Sequence, residues 1–394
     1  MRTRANQPIP LQAIVAVTND LTTDQRVDRT CKTLQQHSYS VLLVGRRRTK
    51  SLTLAPRSYQ THRMQLLFEK GPLFYAEFNL RLFFFLIFRS HHLLVSNDLD
   101  TLPATYFAHL VSRMIFFFSF SRDRGAPLHL HDCHEYFRGV PELVGRKFAP
   151  MMWKALEDMI FPHLKRVIAV NTSIARIYSE EYGVPVTAVR NLPFRKPLTP
   201  ANMKKALQIG ENRKVIYYQG AVNVDRGLEE AVCALQYLKT DAVLVIVGTG
   251  DIFHELQSLI VREKRENQVI LTGPVPFEKL HEYTQMADVG LSIEKDIGIN
   301  YHYALPNKIM DYIQANVPLL VSPFPEMKTI VEGYRIGACI AGHDPESLAG
   351  SIDAMLGNPL QLEQYKENLK LAAEELCWEN EQHKLSELLN LESV

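Results

Sequence analysis

Five stretches of the 394-residue chain hold side chains whose types and spacing could do chemistry. The first is INYHYALPNKIMDYIQANVPLLVS, Ile299 to Ser322. Its Pro306, Asn307 and Lys308 are expected in a loop that runs into a short helix carrying Asp311, with an apolar strand behind it. A helix start attracts anions because its first amides lack partners and its dipole end is positive. Lys308 adds a full charge there, and Asp311, one turn later, offers an acceptor for hydroxyl groups. That arrangement suits the phosphates and ribose of a nucleotide, although an i, i+3 charge pair on any surface helix reads the same way.

The second stretch, AVNVDRGLEEAVCALQYL, follows the strand-like KVIYYQG. Gly220 ends that strand and Arg226-Gly227 opens an amphipathic helix, with a guanidinium able to hold phosphate through two parallel hydrogen bonds. The third, VGTGDIFHEL, places Gly248 and Gly250 in a tight turn and Asp251 as an N-cap. It lacks the third glycine of a dinucleotide fingerprint and sits mid-chain, so it indicates close backbone approach to a ligand rather than NAD. The fourth, HLHDCHEYF (His129 to Phe137), gathers His131, Asp132, His134 and Glu135 at the end of a strand expected to stop at His131. His131, Cys133 and His134 could ligate zinc, yet no second ligand pair is spaced to match; substrate contact and structural capping are the other readings. The fifth, NDLD (Asn97 to Asp100), gives Asp98 and Asp100 a place lining a pocket or capping the next helix.

Such residues need elements to place them. Strand-like runs occur at 13–18, 40–45, 64–68, 92–97, 128–132, 166–171 and 186–191, then at 214–220, 242–248, 268–273, 289–293, 317–322 and 337–341. Most are apolar throughout, as strands covered on both faces are, and they alternate with helical patterns. The expected fold class is α/β: two Rossmann-like doubly wound domains facing a central cleft. A polar stretch with three prolines, 190–205, reads as the linker. The domains are then 1–192 and 193–377, a division that the chain length also favours.

Hydrophobic residues make up 46% of the chain and charged ones 22%, the balance of a soluble globular protein. The longest apolar runs, LFFFLIF (Leu82 to Phe88) and MIFFFSF (Met114 to Phe120), fall far short of the roughly 20 residues that span a bilayer. The opening MRTRANQPIP leads into a strand without an apolar signal region, so secretion is not expected. Five widely spaced cysteines suit a reducing cytoplasm.

The net charge of +1 conceals an asymmetry. Residues 1–200 hold 27 Lys and Arg against 15 Asp and Glu, and the remainder 17 against 28. The basic half also carries GRRRTK (Gly45 to Lys50) and the phenylalanine-rich runs, which would suit an anionic membrane surface. Core phenylalanines, a solvated arginine loop and charge complementarity between the halves would account for them equally. No nucleic-acid motif accompanies the charge.

Read in order, G-x5-RG-L-E-E, VG-x-G, L-T-G-x-V-x-x-x-x-L, AD-x-G-L-S and P-N-K-x-x-D-Y-x-x-A-x-x-P resemble the donor-binding domain of GT-B glycosyltransferases of family GT4. The likeness is to the bacterial branch with a PNK loop that builds surface polysaccharides. VTNDLTTDQRVDRTCKTLQQHSYSVLLVGRR, LLVSNDLDTLPA and LHDCHEYFRGVPELV are similar to that branch's acceptor domain. LCWENEQHKLSELL resembles its final helix, expected at about 378–394 and packing back on the first domain. The resemblance covers nearly the whole chain.

What the resemblance implies can be placed residue by residue. Arg226 would bind the donor diphosphate. The usual companion arginine after the strand-ending glycine is replaced by Ala221, and Lys308 would supply that charge. Asp311 takes the place of the acid that holds the ribose. Eight residues earlier, where a second acid is usual, stands Tyr303, so Glu294 or the 296–303 loop would meet the donor sugar instead. The backbone of Pro274 and Val275 would meet the base, and Gly220, Gly248 and Asn307 complete the donor side. His131, Asp132, His134 and Glu135 would contact acceptor and donor sugar, with Arg26, Asn97, Asp98 and Asp100 on the acceptor side.

The implied reaction is transfer of a sugar from a UDP- or GDP-sugar to a glycan or lipid-linked acceptor, with retention and no metal or other cofactor; the expected place is the cytoplasm, with the basic half leaving open peripheral contact at the inner face of the cell membrane. The metal-binding D-x-D that Asp98 and Asp100 mimic belongs to the single-domain glycosyltransferase architecture. With a diphosphate leaving group, the main demand is stabilising negative charge on the departing oxygens. The acceptor proton would go to that phosphate or to an acid of the 131–135 cluster. Two other readings share these contacts: a nucleotide-sugar 2-epimerase, and a non-catalytic nucleotide-sugar-binding partner suggested by Ala221 and Tyr303.

Overall fold

The computed structural model, which describes residues 11–118, 126–139, 148–199 and 202–391, forms a strand at twelve of the thirteen expected runs, while the third strand falls earlier, on the polar segment Gln60–Gln65, and overlaps the expected 64–68 at two residues only. In the first half the strands are β1 (Leu11–Ala16), β2 (Tyr39–Arg47), β3 (Gln60–Gln65), β4 (Leu93–Asn97), β5 (Leu128–Cys133), β6 (Val167–Ala169) and β7 (Val186–Ala188). In the second half they are β8 (Lys214–Gln219), β9 (Ala242–Val247), β10 (Val269–Gly273), β11 (Val289–Ser292), β12 (Leu319–Val321) and β13 (Gly337–Cys339). All pairings are parallel, in two separate sheets. The continuous apolar pattern has its physical reason in the second sheet. Ile216 and Tyr218 of β8 pack into one core and Val215 and Tyr217 into the other, so both faces are covered.

The chain divides into a unit of residues 1–191 and 382–394 and a unit of residues 192–381. The stretch expected as a linker is not all solvated. Leu192 is fully buried in the second core, and the Pro193 carbonyl accepts from the Trp378 N–H at 2.8 Å. The C-terminal helix, Trp378–Leu388, begins before the division and ends after it.

In the first unit α1 (Gln25–Gln36) starts at Asp24, whose carboxylate accepts from the Val27 N–H. Helices α2 (Gly71–Ile87) and α3 (Leu102–Phe118) cover one face of the sheet, where Phe74, Phe78, Leu82, Leu86, Ala104 and Ala108 meet Ile14, Val44 and Leu94. The phenylalanine-rich runs are therefore only half core. Leu80 and Phe84 of the first run's helix and Phe88 just past its end are 60%, 48% and 82% exposed, and Phe117 and Phe118 of the second are exposed too. Phe120 lies outside the described residues. Arg46 and Arg47 extend β2 instead of entering a loop, and Arg46 is buried. Among the described residues no helix is long and apolar enough to cross a membrane.

The strand orders fix where ligands can go. They are β3-β2-β1-β4-β5-β6-β7 in the first sheet and β10-β9-β8-β11-β12-β13 in the second. Chain order reverses between β1 and β4 and between β8 and β11. Parallel sheets open a crevice at such a reversal, beyond the carboxyl ends of the strands.

Candidate active site

Beside the β8/β11 reversal the loops that follow β8 and β9 come into backbone contact. A Cβ on Gly248, which has φ +138°, would lie 1.9 Å from the Gly220 carbonyl oxygen, so only glycine lets the loops close. Gly227 (φ +75°) then turns the chain into the helix Leu228–Ala234. Across from it, one residue past β11, Ile293 is followed by Glu294, whose side chain has no exposed surface.

Glu294 organises this corner. Its Oε1 takes Lys308 Nζ at 2.7 Å and lies 3.5 Å from Arg226 Nη1, while Oε2 accepts from the Ser292 hydroxyl at 2.9 Å. Its backbone carbonyl accepts from the Ser322 hydroxyl at 2.6 Å and lies 3.1 Å from His343 Nε2. Burial alone would raise its pKa, but the charges of Lys308 and Arg226 outweigh that and hold it below the usual carboxylate range. Aromatic faces support both cations: Lys308 Nζ lies 4.1 Å from the Tyr218 ring centroid, and the Arg226 guanidinium 5.1 Å from that of Tyr301. Two cations against one carboxylate leave a net positive charge at the crevice. Glu294 thus departs from the expected sugar contact, because its oxygens are enclosed and face the cations.

The PNK segment is also tighter than expected. Asn307 and Lys308 form the first turn of the helix Asn307–Gln314, with Pro306 at the N-cap, rather than a preceding loop. Asp311 points to different partners from Lys308. It accepts from the Gln219 side-chain amide at 2.8 Å and lies 3.4 Å from Lys196 Nζ, and Gln219 accepts in turn from the Thr284 hydroxyl at 2.7 Å. A fifth of the Asp311 side chain stays exposed. Pro274 and Val275 follow β10 at the same edge of the sheet. Tyr303 closes the short helix Ile299–His302. Asp251 does not cap: the residue at that N-cap is Ile252, because the turn after Gly250 runs one residue further.

In the first unit β4 and β5 end side by side, with Asn97 opposite Asp132. Arg26, reaching from α1, grips Asp132 through Nε at 2.9 Å and Nη2 at 2.7 Å, and its Nη1 donates to the Val189 carbonyl at 2.7 Å. Burial pushes Asp132 up, yet Arg26 and His134 together hold it well below the usual range. Asp98, in the left-handed region at φ 58°, accepts from the His134 N–H at 2.8 Å. The His134 ring lies 3.5 Å from carboxylate oxygens of both Asp98 and Asp132 and 3.1 Å from Asn97 Oδ1. Burial opposes its charging, but the two carboxylates lift it to about 10.

Asp98 keeps 23% of its side chain open yet lies deep enough among protein atoms for lost hydration to push it up to about 7, against the pull of His134. Burial likewise lifts Asp100 to about 6. Neither aspartate caps α3. Both line a cavity of about 410 Å³ together with Glu135, Arg46, Tyr75 and Trp153. A carboxylate that titrates near neutrality and touches a cavity can take a proton from a hydroxyl group.

His131 is not part of that surface. β5 runs on through Cys133, and the alternation of the strand turns His131 to the face opposite Asp132. There it is buried, with Nδ1 2.9 Å from the Ser96 hydroxyl and its ring edge-on to Phe161, and burial pushes it down to about 4. Asp132, fully enclosed by Arg26, is a positioning group rather than a contact. Among the described residues no group of three or more His, Cys, Asp or Glu is set to hold a metal ion.

Sequence reasoning missed Tyr218, Ser292, His343 and Gln219 in the second unit, and Thr18, Arg46 and Trp153 in the first. Gln219 and Ser292 had a readable signal, each being a polar residue at the carboxyl end of an otherwise apolar strand.

Comparison with known proteins fits this geometry. Residues 201–372 match the family described as Glycosyl transferases group 1, an interval that holds every donor-side residue from Gly220 to Asp311. The sucrose-phosphate synthase of Thermosynechococcus elongatus superposes with a TM-score of 0.74 at 16% identity, over 96% of this chain and 98% of that one. Anabaena HepE, solved in complex with UDP-glucose, superposes with a TM-score of 0.69 at 13% identity, over 96% and 99%. An uncharacterized glycosyltransferase of Methanocaldococcus jannaschii is 23% identical over 161 residues; the match spans 40% of this chain and 39% of that relative. The family match is thus confined to residues 201–372, in a chain with the GT-B fold of two Rossmann-like units.

Proposed function

We propose that the protein transfers a sugar from a UDP- or GDP-sugar to a glycan or lipid-linked acceptor, with retention and without a metal, in bacterial polysaccharide or glycolipid biosynthesis. The observation that carries this reading is the pair of cations, Arg226 and Lys308, locked on buried Glu294 at the β8/β11 reversal. Held before any ligand arrives, they can stabilise charge on a departing diphosphate without reorganising. Asp311, oriented by Gln219, takes the ribose hydroxyls, and the backbone of Pro274 and Val275 meets the base. HepE holds UDP-glucose in a fold of the same kind, which favours a nucleotide sugar here.

The first unit, with the end of the C-terminal helix, serves the acceptor. Asp132 is tied to Arg26 and His134 is cationic, so neither suits a base at neutral pH. Asp98 does. Exposed Leu80, Phe84 and Phe88 beside Arg81 and Arg89 support peripheral contact with an anionic bilayer at the cytoplasmic face.

A thermal-shift panel of UDP, GDP, CMP and NAD on the wild type, Lys308→Ala and Asp311→Ala tests the reading. A ligand that binds only the folded state stabilises it by an amount that grows with the logarithm of its concentration relative to Kd. UDP or GDP should raise the melting temperature of the wild type, and both variants should lose that response. Silence from every nucleotide, or a response to NAD alone, would overturn the assignment.

A further inference from the structure

Among the described residues the first unit buries three arginines: Arg29, which bonds the Asn191 side chain, and Arg26 and Arg46, which are treated differently. Arg26 is paired bidentately with Asp132. Arg46, near the end of β2, is 8% exposed and has no carboxylate within ion-pair distance among the described residues. Its guanidinium lies 3.9 Å from the Phe74 ring centroid, its Nη1 donates to the Glu69 backbone carbonyl at 2.9 Å, and its Nε is buried with no partner. The acids nearby are engaged elsewhere: Asp100 accepts from the Thr18 hydroxyl, and the Glu69 carboxylate accepts from the Thr49 N–H and hydroxyl. Buried arginine is rarely left without a counter-ion, because an unpaired charge away from water is strongly disfavoured.

The surroundings say what could supply that counter-ion. Arg46 lines the 410 Å³ cavity that also holds Glu69, Asp98, Asp100 and Glu135, and Lys70 joins it in the lining. Tyr75 and Trp153, edge to face at 5.1 Å, give it an apolar side. The volume lies within the usual range for small-molecule sites, roughly 300–1,000 Å³. Acids for hydroxyl groups, rings for a sugar face and a cationic corner are thus gathered in one cavity.

We propose that this cavity is an acceptor subsite for a sugar bearing an anionic substituent, a phosphate ester, whose charge pairs with Arg46. The inference rests on the transferase reading and specifies the acceptor chemistry of its first unit. Lys70 adds to the attraction, and the hydroxyl to be glycosylated faces Asp98.

The test is isothermal titration with UDP present throughout, so that the cations of the second unit are occupied. Three probes differ in one feature each: methyl α-glucoside, glucose 1-phosphate, and its decyl phosphodiester. The wild type should bind both phosphates at least about tenfold more tightly than the neutral glucoside, the scale of one charge-assisted hydrogen bond. Arg46→Gln should erase that preference and Arg46→Lys should keep part of it. Tighter binding of the decyl probe assigns the phosphate to a lipid-linked acceptor, and equal binding assigns it to a free sugar phosphate.

Because Arg46 packs on Phe74, its variants are first checked for folding by their melting temperature. Exposed Lys70→Gln provides an independent arm, with phosphate binding weakened several-fold. Equal binding of glucose 1-phosphate and methyl glucoside by the wild type, or a preference surviving in folded Arg46→Gln, overturns the proposal. Nucleotide protection that persists in that case leaves the transferase reading standing; loss of nucleotide protection alone would sink the transferase reading instead.

Discussion

The two strand-order reversals have the same geometry and opposite chemistry. Beyond β8 and β11 a single buried carboxylate, Glu294, holds two cations. Beyond β1 and β4 the buried Arg26 guanidinium holds Asp132, which with Asp98 flanks His134. In each case the innermost charge has no ligand to touch; it orients the groups of opposite sign around it. One scaffold therefore yields a corner of positive charge and a corner of carboxylates by exchanging which sign is enclosed. Fixed, hydrogen-bonded charge of this kind is the preorganisation that transfer chemistry exploits.

The comparison breaks most readily at the cations. Arg226→Ala or Lys308→Ala should lower kcat/KM for sugar transfer by about 10²–10³, the usual loss when one preorganised donor to a developing negative charge is removed. Turnover within a few-fold of wild type would show that the second reversal does not serve the leaving group.

Glu294→Gln probes the enclosed charge instead. It leaves two cations facing a neutral amide in a buried setting, and stability to denaturant should fall by about 3–5 kcal/mol. Bound UDP should restore part of that loss, because its phosphates supply the missing charge. The sign with pH follows from the lowered pKa of Glu294. Its contribution is present above the unfolded carboxylate value and disappears as pH falls through the lower folded value.

The acidic reversal is sharpened by pH. His134 is raised from its ordinary 6.5 to about 10, so its stabilising contribution is complete below about 6.5 and is lost as pH climbs through 10. Chemical denaturation between pH 6 and 10 should show this slope in the wild type and a flatter one in His134→Gln. Asp98 works in the other sense. With its pKa raised to about 7, the folded state binds a proton more firmly than the unfolded chain, and stability declines between about pH 4 and 7. The same titration should give kcat a rising limb near 7 that Asp98→Asn removes, with turnover about 10²-fold lower. A rising limb unchanged in that variant would hand proton removal to the leaving phosphate.

Much of this arrangement was legible in the sequence, for a local reason. Strands buried on both faces must be apolar throughout, so KVIYYQG and AVLVIVG announced themselves, and ligand-facing loops follow such strands. What crosses between strands was not legible. Lys308 and Glu294 are fourteen residues apart and meet only because β11 and the helix Asn307–Gln314 pack together. Arg46 looked like one of three arginines in a solvated loop, and only the extension of β2 through Arg47 buries it. Side chains on a strand alternate faces, so a small error in where β5 ends decides which of two neighbours reaches a cavity.

His131 is where that error matters most, and it carries the smallest predicted effect. Sequence reasoning put it beside Asp132 at the substrate surface, whereas the strand turns it inward against Phe161 and the Ser96 hydroxyl. A buried neutral histidine with one hydrogen bond predicts that His131→Gln lowers stability by about 1–2 kcal/mol and changes kcat/KM less than about threefold. Burial depresses its pKa to about 4, so the unfolded chain takes up a proton at 6.5 that the folded one refuses until 4. Wild-type stability should therefore fall as pH drops across that window, and the variant should lose this part of the slope. A hundredfold loss of turnover with stability and acid slope intact would return His131 to the substrate side and make Asp98 the neighbour that merely positions.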